Sequence, residues 1–166
     1  MAIEHDFFGL LSSGPDGSIF WSETVEFGDH ALTVDLTAPD QEDVSPESLD
    51  IAAAFVSGLE KIDAKARHGM LAEVDDRTSE VTEYILQQQE LYGEDLVEHL
   101  VDVSGDAAVD IIRALQLMSM TLLVDEHGGN EPFAVLEYAL DADGDDDVLL
   151  VNFGSDGSVL SVMSAD

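Results

Sequence analysis

The chain has 166 residues, 37 of them acidic and 5 of them basic, which gives a formal net charge of −32. Because affinity for phosphates depends on Lys and Arg, this charge excludes nucleic acids and anionic membrane surfaces as default partners. The absence of cysteine excludes disulfides, thiolate nucleophiles and Cys-ligated metal centres. A hydrophobic content of 45% allows a sizeable core, and the length suits one domain.

Residues 1–6 contain neither a basic region nor a long apolar run, so a secretory signal is not expected. The longest apolar run, residues 115–124, is interrupted by Gln116, Ser119 and Thr121 and is shorter than the ~18 apolar residues of a membrane span. These features predict a soluble protein in the cytoplasm.

Alternation of apolar and polar residues predicts strands in the first forty residues. Residues 7–11 and 19–27 flank Gly14-Pro15-Asp16-Gly17, a sequence typical of a tight turn, so the two runs are predicted to form a hairpin. A third strand, residues 32–36, follows the turn at Gly28-Asp29. The N-terminal region is therefore predicted to be a three-stranded meander.

The period changes after residue 45, where apolar residues recur at three- and four-residue spacing. This pattern predicts a first helix over 45–70, with Ser45 as its N-cap. Further helices are predicted over 78–93 and after a cap at Ser104 or Asp106.

Strands return in the last third of the chain, at residues 118–124, 133–140, 148–153 and 159–163. The last of these runs are apolar on both faces, which predicts central strands covered by the helices. The order β-β-β, helical block, β-β-β-β predicts a single α+β domain with a mostly antiparallel sheet and helices packed on one face. The predicted core contains Trp21, Val25, Leu32, Val34, Leu59, Ile62, Ile111, Leu122, Val135 and Val151.

The basic residues are confined to the helical block, since residues 1–60 and 114–166 contain no Lys or Arg. One interpretation is a solvated helix face whose charges contribute little. The other is a less repulsive surface through which a partner, or a second copy in a homodimer, approaches. The acidity itself has three explanations: adaptation to a salty cytoplasm, complementarity to a basic partner, or solubility alone.

The densest carboxylate run, residues 141–147, resembles the start of a calcium loop. Asp141, Asp143 and Asp145 match its first three ligand positions, but Asp146 stands where the loop needs Gly and Asn152 where it needs Glu. The run is interpreted as an acidic hairpin loop or as a weak site for a divalent cation, and no other cofactor is expected.

A second metal candidate is Asp95, His99 and Asp102, which would share one face of a continuous helix. An exposed polar face is the competing interpretation. No nucleophile elbow and no phosphate-binding glycine motif occurs in the chain.

Three short motifs near the N-terminus resemble a pattern of small bacterial proteins. They are Phe8-Gly9-Leu10-Leu11, Phe20-Trp21 and Val25-Glu26-Phe27-Gly28-Asp29-His30. Mainly over residues 7–60, the chain resembles families known only as domains of unknown function, and some similar families look like immunity proteins of bacterial toxin systems. The resemblance implies an α+β fold and a non-catalytic role. Because its motifs are structural, it assigns no functional residue.

The sequence thus favours a non-enzymatic protein-binding or regulatory protein. The sharpest hypothesis is an immunity-like inhibitor that covers the active site of a basic toxin such as a nuclease, with carboxylates in the places of substrate phosphates. The alternatives are a salt-adapted protein whose acidity has no binding role, and a metal-dependent hydrolase built on Asp95, His99 and the acidic loop.

Overall fold

The computed structural model describes residues 2–27, 30–40, 42, 44–99, 104, 106–124, 132–140 and 148–165. The strands are β1 Ala2–His5, β2 Gly9–Ser12, β3 Ile19–Phe27, β4 His30–Ala38, β5 Gln116–Leu123, β6 Ala134–Ala139, β7 Val148–Phe153 and β8 Val159–Ala165. The helices are α1 Pro46–Ser57, α2 Leu59–Glu73, α3 Glu80–Tyr92 and α4 Ala107–Ala114, with a 3-10 helix at Gly93–His99. Within the described residues, no helix is long and apolar enough to cross a membrane.

Side-chain caps fix where the helices begin. Ser45 accepts a hydrogen bond from the backbone N–H of Ser48, whose hydroxyl lies 3.2 Å from the backbone nitrogen of Ser45, so α1 starts with a capping box. Ser79 caps α3 and Asp106 caps α4 in the same way. The prediction of one helix over 45–70 is wrong, because Gly58 separates α1 from α2 in a conformation outside the helical region.

Six strands form one sheet in the order β3-β4-β5-β6-β7-β8, which is also their order in the chain. All neighbours are antiparallel except β4 and β5, which pair in parallel because the whole helical block connects them. The predicted α+β class, single domain and mostly antiparallel sheet are therefore confirmed.

The predicted N-terminal meander is wrong in the pairing of its first two strands. β2 pairs with β1 in a separate two-stranded sheet, and its link to β3 is the single bridge between Ser13 and Ile19. Residues 7 and 8 belong to the turn between β1 and β2 rather than to a strand. The predicted hairpin of β3 and β4 does form.

The core lies between the helices and one face of the six-stranded sheet. Two cross-strand rows on this face are apolar except for the exposed Glu23, and the helices bury their members on β4 to β7. The rows run Trp21, Leu36, Leu122, Ala134, Phe153, Val159 and Glu23, Val34, Met120, Leu136, Val151, Val162. Seven of the ten predicted core residues are buried, whereas Trp21, Val25 and Val135 are only half-buried.

A partly buried polar link joins α2, α4 and β6 at the border of this core. The Arg67 guanidinium donates to Asp63 at 3.1 Å and to the carbonyl oxygens of Ile112 and Leu115, each at 2.7 Å. The buried Tyr138 hydroxyl donates to Asp63 at 2.6 Å, and the guanidinium lies 5.3 Å from the Tyr138 ring centre. Arg67 thus satisfies carbonyls that the end of α4 leaves without partners in the helix. Burial and the nearby Asp63 carboxylate raise the pKa of Tyr138.

Candidate functional site

The second face of the six-stranded sheet carries two further cross-strand rows, which we call the open face. They run Ser22, Asp35, Thr121, Val135, Asn152, Ser161 and Thr24, Thr33, Ser119, Glu137, Leu150, Met163. None of these twelve residues is buried, although the rows cross the middle of the sheet. In the part of the chain that the structure describes, the open face is therefore uncovered.

The open face is divided into two kinds of surface. On β3, β4 and β5 it consists mainly of serine and threonine hydroxyls, whereas Val135, Leu150 and Met163 form an apolar strip on β6, β7 and β8. The strip explains why the last strands are apolar on both faces. The prediction that the helices pack on one face of the sheet is confirmed, and the residues of the strip lie on the other face.

Two carboxylates lie within this surface, Asp35 on β4 and Glu137 on β6. Both are half-buried, and a Glu137 oxygen lies 3.2 Å from the Ser119 hydroxyl on the intervening strand. From strand spacing and rise, the two residues are about 12 Å apart. No strand contains Lys or Arg, so the face carries acceptors and negative charge without a lysine or arginine to neutralise them.

Exposed apolar side chains continue along the β3 edge. Phe20 on the open-face side of β3 is 66% exposed, and Leu10 of the N-terminal hairpin is 68% exposed. Behind them, the Phe8 and Trp21 rings meet edge to face with centres 4.9 Å apart. The hairpin is further held to α1 by a 2.8 Å contact between His5 Nε2 and Asp50. This edge combines exposed hydrophobic groups with a firmly held support.

A groove lies on the opposite side of the molecule, between α2 and the turn that joins β7 to β8. Its cavity of about 490 Å³ is lined by Lys65, His68, Gly69, Gly157, Val159 and two further residues. Lys65 Nζ donates to the Gly157 carbonyl at 3.3 Å, so one of the few cations is engaged with the chain's own turn. The groove is wide open and mostly apolar, and its lining contains no carboxylate.

The connection between α2 and α3 concentrates negative charge. Partial burial, with Asp76 and Glu80 nearby, raises the pKa of Glu73 above its ordinary value. In the same connection, hydrogen bonds from the Thr78 side chain and backbone lower the pKa of Asp76. Ionisation of the Glu73 carboxyl in the folded protein therefore lowers the stability of the fold, whereas ionisation of Asp76 raises it.

Replacing Glu73 with Gln should stabilise the protein at neutral pH by less than about 1 kcal/mol, because the site is partly solvated. A carboxyl whose pKa is raised in the folded state destabilises the protein as the pH rises through that pKa, because the group then becomes charged. Gln stays neutral at every pH. Urea unfolding between acid and neutral pH checks this. The two proteins should be equally stable below the ordinary Glu pKa and diverge above it. A constant difference at every pH would contradict the charge effect.

The predicted metal residues are not brought together among the described residues. Asp141, Asp143, Asp145 and Asp102 lie outside the described residues. Positions 95 and 99 belong to the 3-10 helix Gly93–His99, so the continuous α-helix on which the shared face of this candidate depended does not form there. Within the described residues, no group of three or more His, Asp and Glu could hold a metal ion.

The open face was not identified from the sequence. Its signal was present in the hydroxyl-rich alternate positions of the β3, β4 and β5 segments, which are typical of a sheet face outside the core. Comparison with protein families, with curated proteins and with solved structures gives no match.

Proposed function

We propose that this protein is a non-enzymatic binding protein whose partner is a basic protein, and that it acts as an inhibitor of the immunity type. The observation that carries this proposal is the segregation of charge. All five basic residues lie between positions 61 and 113, whereas the eight strands carry none. Because opposite charges steer association and reject wrong partners, a strand layer without Lys or Arg suits a partner rich in both.

Two of the five basic residues form hydrogen bonds within the chain. Arg67 is bound to Asp63 and to two α4 carbonyls, and Lys65 donates to Gly157. With 5 basic against 37 acidic residues, the cations neutralise little of the field that a partner meets. That field raises the local concentration and the association rate of a positively charged protein.

The experiment is affinity capture from the native lysate with the purified chain, followed by reconstitution with the purified partner. We expect one basic protein in stoichiometric amount at physiological salt, released at high salt because screening weakens the attraction. Its association rate should fall steeply as ionic strength rises. Absence of any partner at either salt concentration would reject the proposal. Bound metal with a hydrolase activity lost in His99→Ala would instead support the enzyme alternative.

Salt adaptation is the second candidate, because the acidic excess covers both the strand and the helix segments. In that case, the charge keeps the protein folded and soluble in concentrated salt and has no binding role.

A further inference from the structure

We infer that the open face is the docking surface for the basic partner, with Asp35 and Glu137 as its charged contacts and the strip Val135, Leu150 and Met163 as its apolar contact. This inference rests on the proposed function and names the surface that performs it. It also commits to a folded basic protein as the occupant, rather than a second copy of the chain.

The first argument is the shape and exposure of the face. Two complete rows cross six strands without a buried residue, and Met163 is 42% exposed. Specific interfaces bury about 800 Å² on each partner, and a six-stranded sheet face offers an area of that order. A sheet face is also held rigidly by its hydrogen bonds, so little ordering is needed when a partner binds.

The second argument is chemical complementarity. Lys and Arg side chains combine an apolar stem with a charged end. On the open face, Glu137 lies between the Ser119 hydroxyl and Leu150 of the apolar strip, so both parts of such a side chain find a counterpart there. Asp35 lies between Ser22 and Thr121 and offers a second carboxylate among hydroxyls. At the β3 edge, the exposed Phe20 ring adds a surface on which a guanidinium can stack.

The third argument excludes a second copy as the occupant. Two open faces packed together would bring the Asp35 and Glu137 carboxylates of one chain against those of the other, with no Lys or Arg from any strand between them. Like charges placed across an interface cost several kcal/mol. Two copies that pack through the helical layer would avoid this repulsion, because the five basic residues lie there.

The test compares two variants that each lose three carboxylates from exposed or half-buried positions. The open-face variant is Glu26→Gln, Asp35→Asn, Glu137→Gln, in which Glu26 follows Ser22 and Thr24 on the same side of β3. The helix-layer variant is Glu60→Gln, Glu83→Gln, Glu90→Gln. Because the partner is unidentified, the probe is an octa-arginine peptide titrated by calorimetry at low ionic strength. Circular dichroism and melting curves establish that both variants are folded.

We expect the open-face variant to weaken octa-arginine binding about tenfold and the helix-layer variant to weaken it about twofold or less. In NMR spectra, the peptide should shift the Met163 and Leu150 methyl signals and leave the exposed Leu86 and Leu91 methyls of α3 unchanged. Equal weakening in both variants, or shifts confined to α3, would overturn the docking surface and leave the proposed function standing. Failure of the wild-type chain to bind the peptide would count against the proposed function itself.

Discussion

The melting temperature of the protein should rise by about 10 °C or more when KCl is raised from about 0.1 M to about 2 M. The formal charge of −32 is carried by one small domain, so folding brings like charges together. Screening shortens the range of this repulsion from ~10 Å at 0.1 M salt to ~3 Å at 1 M. Thermal melts followed by circular dichroism measure the effect.

Two controls separate charge screening from other effects of salt. Sucrose at matched osmolality should raise the melting temperature much less, since it stabilises by exclusion and does not screen charge. The helix-layer variant, which lacks three carboxylates, should be more stable than the wild type in dilute KCl and nearly equal to it at molar KCl. A melting temperature that does not respond to KCl would remove salt adaptation as an explanation of the acidity.

Thermal melts at a low concentration of calcium, compared with the same concentration of magnesium, test whether residues 141–147 bind a cation. A gain in melting temperature confined to low calcium would support a specific cation site there, because a ligand that binds only the folded state stabilises it. Equal small gains with both ions would indicate general screening and reject the cation-site interpretation.

Replacing Arg67 with Met should destabilise the protein by about 2 kcal/mol, less than for a fully buried ion pair because the Arg67 and Asp63 side chains are partly exposed. The substitution leaves the Asp63 carboxylate beside the Tyr138 hydroxyl without its cation and removes the donors to two α4 carbonyls. The methionine keeps an apolar side chain of similar length, so loss of the polar link dominates the effect. Urea unfolding in molar KCl, where long-range repulsion is screened, gives the free-energy difference.

The matched control is Arg113→Met, which removes the same charge from an exposed position on α4. Its effect should stay within about 0.5 kcal/mol, as for most surface substitutions. The double variant Asp63→Leu, Arg67→Met should be less destabilised than Arg67→Met alone, because it leaves no charge buried without a partner. If Arg67→Met and Arg113→Met had equal effects, the polar link would contribute nothing beyond net charge.

Local patterns were sufficient to predict most of the elements and the fold class. Three helix starts were recognisable because caps such as Ser45 and Asp106 act through backbone groups within a few residues. The β3–β4 hairpin was predicted because its strands alternate and a short turn joins them. The break at Gly58 was missed, since the apolar spacing continues across it and only the backbone conformation ends the helix.

The candidate site depends on how segments far apart in the chain pack together. Whether Val135 faces helices or solvent depends on which side of the sheet the helices pack, and Val135 alternates with buried neighbours in either case. The hydroxyl-rich alternate positions of β3, β4 and β5 and the lack of basic residues were evident in the sequence. The register that aligns these positions with the apolar strip across six strands was not, because it depends on pairing between distant segments.

By itself, the sequence determined the extreme charge, the confinement of its five basic residues to the helical block and the positions of most helices and strands. These depend on composition and on interactions within a few residues. Only the tertiary structure decided that β2 pairs with β1, that Arg67 binds carbonyls 45 and 48 residues away, and that the strip Val135, Leu150 and Met163 lies on the sheet face away from the helices. Such features depend on contacts between segments far apart in the chain, and many pairings satisfy the same local pattern until packing selects one.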